Sequence, residues 1–274
     1  MTGARIGLKQ FMNKKIKVIV AGALGKMGKM AIDTFLDNKD KFELKAGIVR
    51  NLKEIDAKSL KYFEEKGVIL SDNLEAEFHK GDIDVLVELT TPDSVFKNSK
   101  IALDNVVRPV IGATGLSDED ILELNKKSLK ANTGAIIAPN FAIGAILMMK
   151  FAAEAVKYMN RYEIIERHHE NKLDSPSGTA IKTAKLMSEN AIGVNHASFK
   201  DQKARGELYY DIPIHSLRLQ GYVASQEVIF GGLGQTLTLK HDTIDRSSFM
   251  PGILLASEKV MELDRLIYGL ENIV

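Results

Sequence analysis

The segment Glu166-Arg167-His168-His169-Glu170-Asn171-Lys172-Leu173-Asp174-Ser175-Pro176-Ser177-Gly178-Thr179-Ala180 holds the densest chemistry of the chain. Two imidazoles and an ammonium stand close together, and both groups donate protons near neutral pH when their surroundings tune them. Ser177-Gly178-Thr179 has the composition of a helix start. Unpaired backbone N–H groups, a hydroxyl and the positive end of the helix dipole grip an anion there. Cations beside a helix N-terminus suit an anionic substrate. Two plainer readings stand beside this one, a polar loop with an ordinary N-cap and a metal site. Adjacent histidines on an extended strand point to opposite faces, and His241-Asp242 is the nearest further ligand pair. No metal is expected.

A second group of residues points to phosphate. Gly22-Ala23-Leu24-Gly25-Lys26-Met27-Gly28 lies between the apolar run Ile16–Ala21 and a stretch of helical spacing. Glycines at such a junction permit a tight turn, close backbone approach to a pyrophosphate and close helix–strand packing. A glycine triplet alone also fits a purely structural turn; opening a strand–helix–strand unit, it points to dinucleotide binding. The next strand ends Ile48-Val49-Arg50, with no acid at its tip to take the ribose hydroxyls of NAD. Arg50 is suited to a 2′-phosphate, with Lys26 or Lys29 assisting, or is a solvated loop arginine. NADPH is therefore favoured, with NADH as the second cofactor.

Elements must hold these groups in place. Strands are expected at Ile16–Ala21, Phe42–Val49, Ile83–Leu89, Pro109–Ile111 and Ala135–Ala138. Helices are expected at Gly25–Asn38, Asn73–Lys80, Asp93–Asp104 and Ser117–Lys130, the last opened by an N-cap serine and three acids. Alternation of this kind means a parallel sheet. Pro139-Asn140 marks a break, after which Phe141–Met159 reads as a long helix. Strands at Tyr162–His168, Ile212–Leu219, Glu227–Phe230 and Gln235–His241 follow, with a helix at Gly178–Asn190 and a turn at Gly231-Gly232. Ser248–Gly269 reads as helical and as returning to the first domain. The fold class is thus α/β: a Rossmann-like parallel-sheet dinucleotide-binding domain (14–139 plus 249–274), with an α+β substrate-binding and oligomerisation domain carrying an open mixed sheet (140–248). Residues 1–13 read as a leader or extension.

Composition narrows the field. The 274 residues are 45% hydrophobic and 27% charged, which suits a folded globular chain. With 37 Lys and Arg against 36 Asp and Glu, the net charge of +1 offers no general attraction for nucleic acid. The absence of cysteine removes disulfides, thiolate catalysis and cysteine metal sites, and fits a cytoplasmic location. No apolar run reaches the ~18 residues of a membrane span. Met148-Met149 reads as core filler, and Arg205-Gly206-Glu207 as a solvated loop. His79, His196 and His215 have no evident partners.

The long segment resembles the signature of the dihydrodipicolinate reductase family, E-x-H-H-x-x-K-x-D-A-P-S-G-T-A, with Ser175 in place of the alanine. The resemblance runs from about Lys14 to the end. It implies a nicotinamide-dependent oxidoreductase of lysine biosynthesis that reduces a small cyclic dicarboxylate. His168 would be a catalytic proton donor or acceptor and Lys172 the proton donor, while His169, Gly178 and Thr179 would bind the dicarboxylate. Gly22, Ala23, Leu24, Gly25, Lys26 and Met27 resemble the family's phosphate loop. Gly112-Ala113-Thr114 resembles its nicotinamide-side loop, and Ala138-Pro139-Asn140-Phe141 its hinge contact to the cofactor. Thr90-Thr91-Pro92 and His241–Phe249 match further family segments, and Arg50 a position that contacts the 2′-phosphate. Two departures stand out. Val49 replaces a glutamate that some members use for the ribose diol, and Ser225-Gln226 stands where many members have histidine. The resemblance implies a homotetramer.

The implied reaction sets physical demands. The nicotinamide must meet the ring's conjugated C=C–C=N system at about 3–3.5 Å, with both carboxylates held. A proton must reach the atom that gains electron density. Two domains joined at Pro139–Phe141 imply a cleft whose closure expels water. Another imine or amine dehydrogenase on the same plan, or a cofactor-sensing protein without turnover, are the competing readings. Neither accounts as well for the complete His-His…Lys…Ser-Gly-Thr segment.

Overall fold

A computed structural model describes residues 14–192 and 204–274. Residues 1–13 and His196 lie outside the described residues. The chain divides into two compact units, one ending at Phe141 and resuming over Met250–Ile273, the other spanning Ala142–Phe249.

The first unit begins with β1 (Ile16–Ala21), whose Val18, Ile19, Val20 and Ala21 are buried in succession. Unbroken burial along a strand means that both sheet faces are covered, the usual condition of parallel strands. After it come α1 (Lys26–Asp37), β2 (Phe42–Ile48), α2 (Ala57–Glu65), β3 (Leu70–Ser71), α3 (Leu74–His79) and β4 (Val85–Glu88). Next are α4 (Pro92–Asp104), β5 (Arg108–Ile111), α5 (Asp118–Ala131) and β6 (Ala135–Ile137). The α1 helix buries Gly28, Ala31, Ile32 and Phe35, the i, i+3, i+4, i+7 stripe of a helix packed on one face. At α5, Ser117 and Asp120 form a reciprocal capping box that satisfies two N-terminal donors.

With β12 (Leu266–Tyr268) added near the end of the chain, the sheet order is β12-β6-β5-β4-β1-β2-β3, and every pairing is parallel. Its last member corrects the helix expected over Ser248–Gly269. Only α8 (Met250–Lys259) is α-helical; β12 (Leu266–Tyr268) then pairs with β6, Leu266 opposite Ala135. A short apolar run carries no period of its own, so the exposed edge of β6 decides its conformation. The short α2 and β3 were not expected either, nor was the strand at Glu207–Tyr209 in the second unit.

The second unit comprises α6 (Ile143–Ala155), β7 (Arg161–His168), α7 (Gly178–Asn190), β8 (Glu207–Tyr209), β9 (Ile212–Arg218), β10 (Ala224–Gly232) and β11 (Gln235–Thr243). The α6 helix is shorter than the expected Phe141–Met159; just past its end the chain tightens into three-residue bonds, Lys157 to Glu154 O and Tyr158 to Ala155 O. Met148 and Met149 are buried. The mixed sheet has the order β11-β10-β7-β9-β8, with only β7 and β9 parallel. Gly231 and Gly232 continue β10, paired with Thr236 and Gln235. The turn falls instead at Leu233-Gly234, where Gly234 takes φ +70°, a value that glycine tolerates at a hairpin.

A further correction lies in this unit. His215 does have a partner, its Nε2 being 2.7 Å from Glu163 Oε2, and Arg205 donates to the other oxygen of that carboxylate. The Arg205–Glu207 stretch is exposed at Gly206 and Glu207 and is a loop up to β8, with Arg205 tied down by that ion pair. A Cβ on Gly206 would lie 2.5 Å from Ile214 O, and Glu207 opens β8.

Candidate functional site

In the first unit, Gly22 turns the chain at the carboxyl end of β1. Its φ is +84°, and a Cβ there would fall 2.5 Å from Leu89 O. The N–H groups of Gly22 and Ala23 both reach Ile48 O at 3.0 Å, so the loop is pinned to β2. A Cβ on Gly28 would come within 2.1 Å of Gly22 O; helix and loop can meet only at glycine. Gly25 is the N-cap of α1 and has no capping side chain, which leaves the helix start with N–H groups suited to an anion. Leu24 and Lys26 are exposed, Met27 is half-buried and Ala23 is buried.

This loop borders a cavity of about 650 Å³, lined by Gly22, Leu24, Gly25, Val49, Arg50 and Thr90 among others. The residues come from the carboxyl ends of β1, β2 and β4, the switch point where open parallel sheets bind ligands. Glycines that a Cβ would jam, an uncapped helix start and an adjacent guanidinium fit a dinucleotide phosphate. The fold also adds what the strand pattern did not show. Asp72, Asn73 and Glu75 reach the cavity wall from the β3–α3 junction. Lys29, offered as an aid to Arg50, donates to Ser59 Oγ at 3.0 Å and lies 5.5 Å from the centre of the Tyr62 ring, so it ties α1 to α2.

Gly112 and Ala113 donate to Glu88 O at 2.9 and 3.2 Å. A Cβ on Gly112 would meet Phe141 Cε2 at 2.5 Å, which brings the Gly112–Thr114 and Ala138–Phe141 loops together. Ala138 N–H reaches Ile111 O at 2.8 Å. Ala138 and Phe141 are buried, Asn140 is half-buried, and Thr114 and Pro139 are exposed. None of these residues belongs to the cavity lining. Beneath the Thr90-Thr91-Pro92 turn lies a carboxylate that sequence reading missed. Glu88 is fully buried and accepts from Thr90 N at 2.8 Å, from the Thr90 hydroxyl and from Asn98 Nδ2 at 2.9 Å. Burial pushes its pKa up despite those bonds.

In the second unit, β7 delivers His168 at its last residue, and the loop from His169 to Ser177 leads into α7. Glu166 and His168 lie two apart on the strand and so share a face. His168 Nδ1 is 2.5 Å from Glu166 Oε2. Glu166 is fully buried and meets the Arg218 guanidinium on both oxygens, at 3.0 and 2.8 Å. Burial would raise its pKa, but hydrogen bonds from His168, Arg218 and Ser216 prevail and bring it down to about 2. Arg218 arrives because β9 pairs in register with β7, Arg218 opposite His168. Its Nη2 also reaches Asp174 O at 2.6 Å.

Lys172 Nζ is paired with Asp174, at 2.6 and 2.8 Å from the two oxygens, and its N–H reaches His169 O at 3.1 Å. His169 is exposed. Ser177 is the N-cap of α7 and accepts from Ala180 N at 3.2 Å. A Cβ on Gly178 would meet nothing within 4 Å, so neither packing nor a positive φ requires glycine there. Thr179 is half-buried in the first turn. The Ser225-Gln226 pair is buried, and Gln226 Nε2 donates to Thr183 Oγ1 of α7 at 2.8 Å. His241 packs against Gly144 of α6, and burial lowers its pKa. Among the described residues, no group of three or more His, Asp or Glu is disposed to hold a metal ion. No helix there is long and apolar enough to cross a membrane.

A glycine cradle at the switch point of a parallel sheet, with imidazoles and a lysine beside a helix start on a second unit, defines a nicotinamide-dependent oxidoreductase. Comparison with known proteins narrows the class. Residues 16–141 match the family model described as dihydrodipicolinate reductase, N-terminus, and residues 144–274 match the one for the C-terminus. A 4-hydroxy-tetrahydrodipicolinate reductase of Halalkalibacterium halodurans is 49% identical over 263 residues, covering 94% of this chain and 99% of the relative. The enzyme of that name from Coxiella burnetii is 45% identical over 259 residues, with the same coverage. A dipicolinate-bound dihydrodipicolinate reductase from Paenisporosarcina sp. TG-14 superposes with a TM-score of 0.83 at 42% identity, over 95% of this chain and all of that one. An amine dehydrogenase from Mycobacterium smegmatis, at 11% identity and a TM-score of 0.65, shares the fold. The chain belongs to the dihydrodipicolinate reductase family.

Proposed function

We propose that this chain is a cytoplasmic, homotetrameric reductase of 4-hydroxy-tetrahydrodipicolinate in the diaminopimelate route to lysine, and that it prefers NADPH to NADH. One observation carries the reading. In a chain of this family, His168, His169, Lys172 and the α7 start stand on one strand–loop–helix unit. The dipicolinate bound to the related structure supports a small dicarboxylate as substrate.

When bound, the dinucleotide supplies a hydride from its nicotinamide ring. The chain's own residues do the rest. The loop of Gly22, Ala23, Leu24, Gly25, Lys26 and Met27 would hold the pyrophosphate: Gly22, Ala23 and Gly25 spend their N–H groups on the turn itself, and the backbone N–H groups of Leu24, Lys26 and Met27 would face the phosphates. Arg50 pairs with the 2′-phosphate, since a guanidinium binds phosphate oxygens two at a time. Gly112, Ala113 and Thr114, with Ala138, Pro139, Asn140 and Phe141, hold the nicotinamide side. His169 and the N–H groups of Gly178 and Thr179 hold the dicarboxylate. Lys172 holds a proton at Nζ, and His168 one at its ring. Together they supply protons and positive charge where electron density builds on the substrate ring.

The test is consumption of reduced cofactor, with substrate generated in situ from aspartate semialdehyde and pyruvate by the preceding enzyme. Turnover is expected with both cofactors, with the lower KM for NADPH. Cofactor binding without substrate-dependent oxidation would sink the assignment in favour of a sensor. Arg50→Ala should raise the NADPH KM roughly tenfold or more, the effect of about 1.5–3 kcal/mol for a charged hydrogen bond, and leave that for NADH nearly unchanged. Comparable constants for both cofactors in variant and parent would remove the NADPH preference.

A further inference from the structure

We propose that Glu166 is the positioning residue of the proton-transfer site: it fixes the tautomer of His168 and, through Arg218, the loop that carries Lys172. The inference rests on the proposed roles of His168 and Lys172. The carboxylate has no part in binding or hydride transfer as described above, yet it is fully buried and three groups converge on it. His168 Nδ1 lies at 2.5 Å, Arg218 meets both oxygens at 2.8 and 3.0 Å, and Ser177 N donates to Oε1 at 3.3 Å. A buried carboxylate is kept only where partners replace its lost water, and each partner here belongs to a different part of the site. Ser177 is the N-cap of α7, beside Gly178 and Thr179. Arg218 spans to Asp174 O at 2.6 Å, and the Asp174 side chain holds Lys172. One anion thus joins the strand end, the helix start and the lysine loop.

The chemical consequence follows from the ring. An ionised carboxylate only accepts hydrogen bonds, so the nitrogen facing it must carry hydrogen, and the neutral imidazole is the Nδ1–H tautomer. Nε2 is then the nitrogen that exchanges protons. In the transfer, the Nε2–H bond of the imidazolium breaks as the new bond to the substrate atom forms. The electron pair stays on Nε2, and the ring is left neutral with its hydrogen still on Nδ1. A glutamine at position 166 offers either a carbonyl or an amide N–H to Nδ1, so it loses this control while keeping the shape.

The test combines nitrogen-15 NMR of the histidine rings with steady-state kinetics on the full-length protein. In the parent, the neutral His168 ring should show Nδ1 as the protonated nitrogen; an Nε2–H tautomer overturns the proposal whatever any variant does. In Glu166→Gln the tautomers should mix, and kcat should fall at least about a hundredfold, the usual scale of a misplaced acid–base group, with the KM for NADPH unchanged. Glu166→Asp, which keeps the charge, should recover part of the loss. A fall in kcat with the tautomer unaltered, or a tautomer change with kcat within about threefold of the parent, also overturns it. His168→Gln separates the two layers. If that variant keeps parental kcat while the parent ring is Nδ1–H, the catalytic reading of His168 fails and the Glu166 contact survives as structure alone.

Discussion

Lys172 and Gly178 show how a single side chain separates chemistry from packing. Lys172 is partly exposed and its ion pair with Asp174 lies at the surface, where such pairs contribute about 0–1 kcal/mol. Lys172→Ala should therefore melt close to the parent. Its kcat should fall by about a hundredfold or more, as expected on removing a proton donor, with the KM for NADPH little altered. Near-normal turnover would refute the role given to the lysine. Gly178 is the complementary case. Open space around its Cα and an ordinary φ mean that alanine fits, and alanine at a compatible position narrows the unfolded ensemble, a gain of about 0.4–1 kcal/mol. Gly178→Ala should unfold at the same denaturant concentration as the parent or a higher one, while the substrate KM rises about tenfold where a methyl crowds the carboxylate. An unaltered KM would move the carboxylate site away from the α7 start.

At the scale of elements, helix ends do two kinds of work here. The α5 start is closed by the Ser117–Asp120 box, which satisfies two of its donors, and the acids Asp118 and Glu119 in its first turn repel an anionic ligand. The α1 start has no capping side chain at Gly25, and it opens onto the cavity beside the starts of α3 and α4. Ser117→Ala should cost about 1 kcal/mol, the usual value of an N-cap serine, read as a shift in the urea midpoint, with kcat and both KM values unchanged. A kinetic effect would show that α5 feeds into the site. The His168 end of β7 works differently. Its position depends on strand register, since slipping β9 by one residue would turn Arg218 to the other face and strip the buried Glu166 of its guanidinium.

At the scale of the whole molecule stands the proposed assembly. In the second unit's sheet β11 is an outer strand, exposed along Gln235–Thr238, and Leu233 stands fully exposed at its hairpin. An uncovered strand edge invites pairing. The proposed homotetramer should scatter light as four subunits, and Leu233→Lys with Leu237→Lys together should shift it to smaller species with the far-ultraviolet dichroism retained. A monomeric parent would exclude the assembly.

The sequence by itself determined the parts that depend on neighbours in the chain. The β1–glycine–α1 unit, the capped α5, the His168–Thr179 segment and the Ser177 cap all follow from residue type and short-range spacing, because strand period, helix period and capping act over a few residues. Tertiary structure alone decided the rest. Arg218 meets Glu166 across 52 positions of chain, Asp72 reaches the cavity from a strand too short to read, and β12 is a strand because β6 had an unpaired edge. Each depends on which distant segments pack side by side, and short-range spacing carries no record of that.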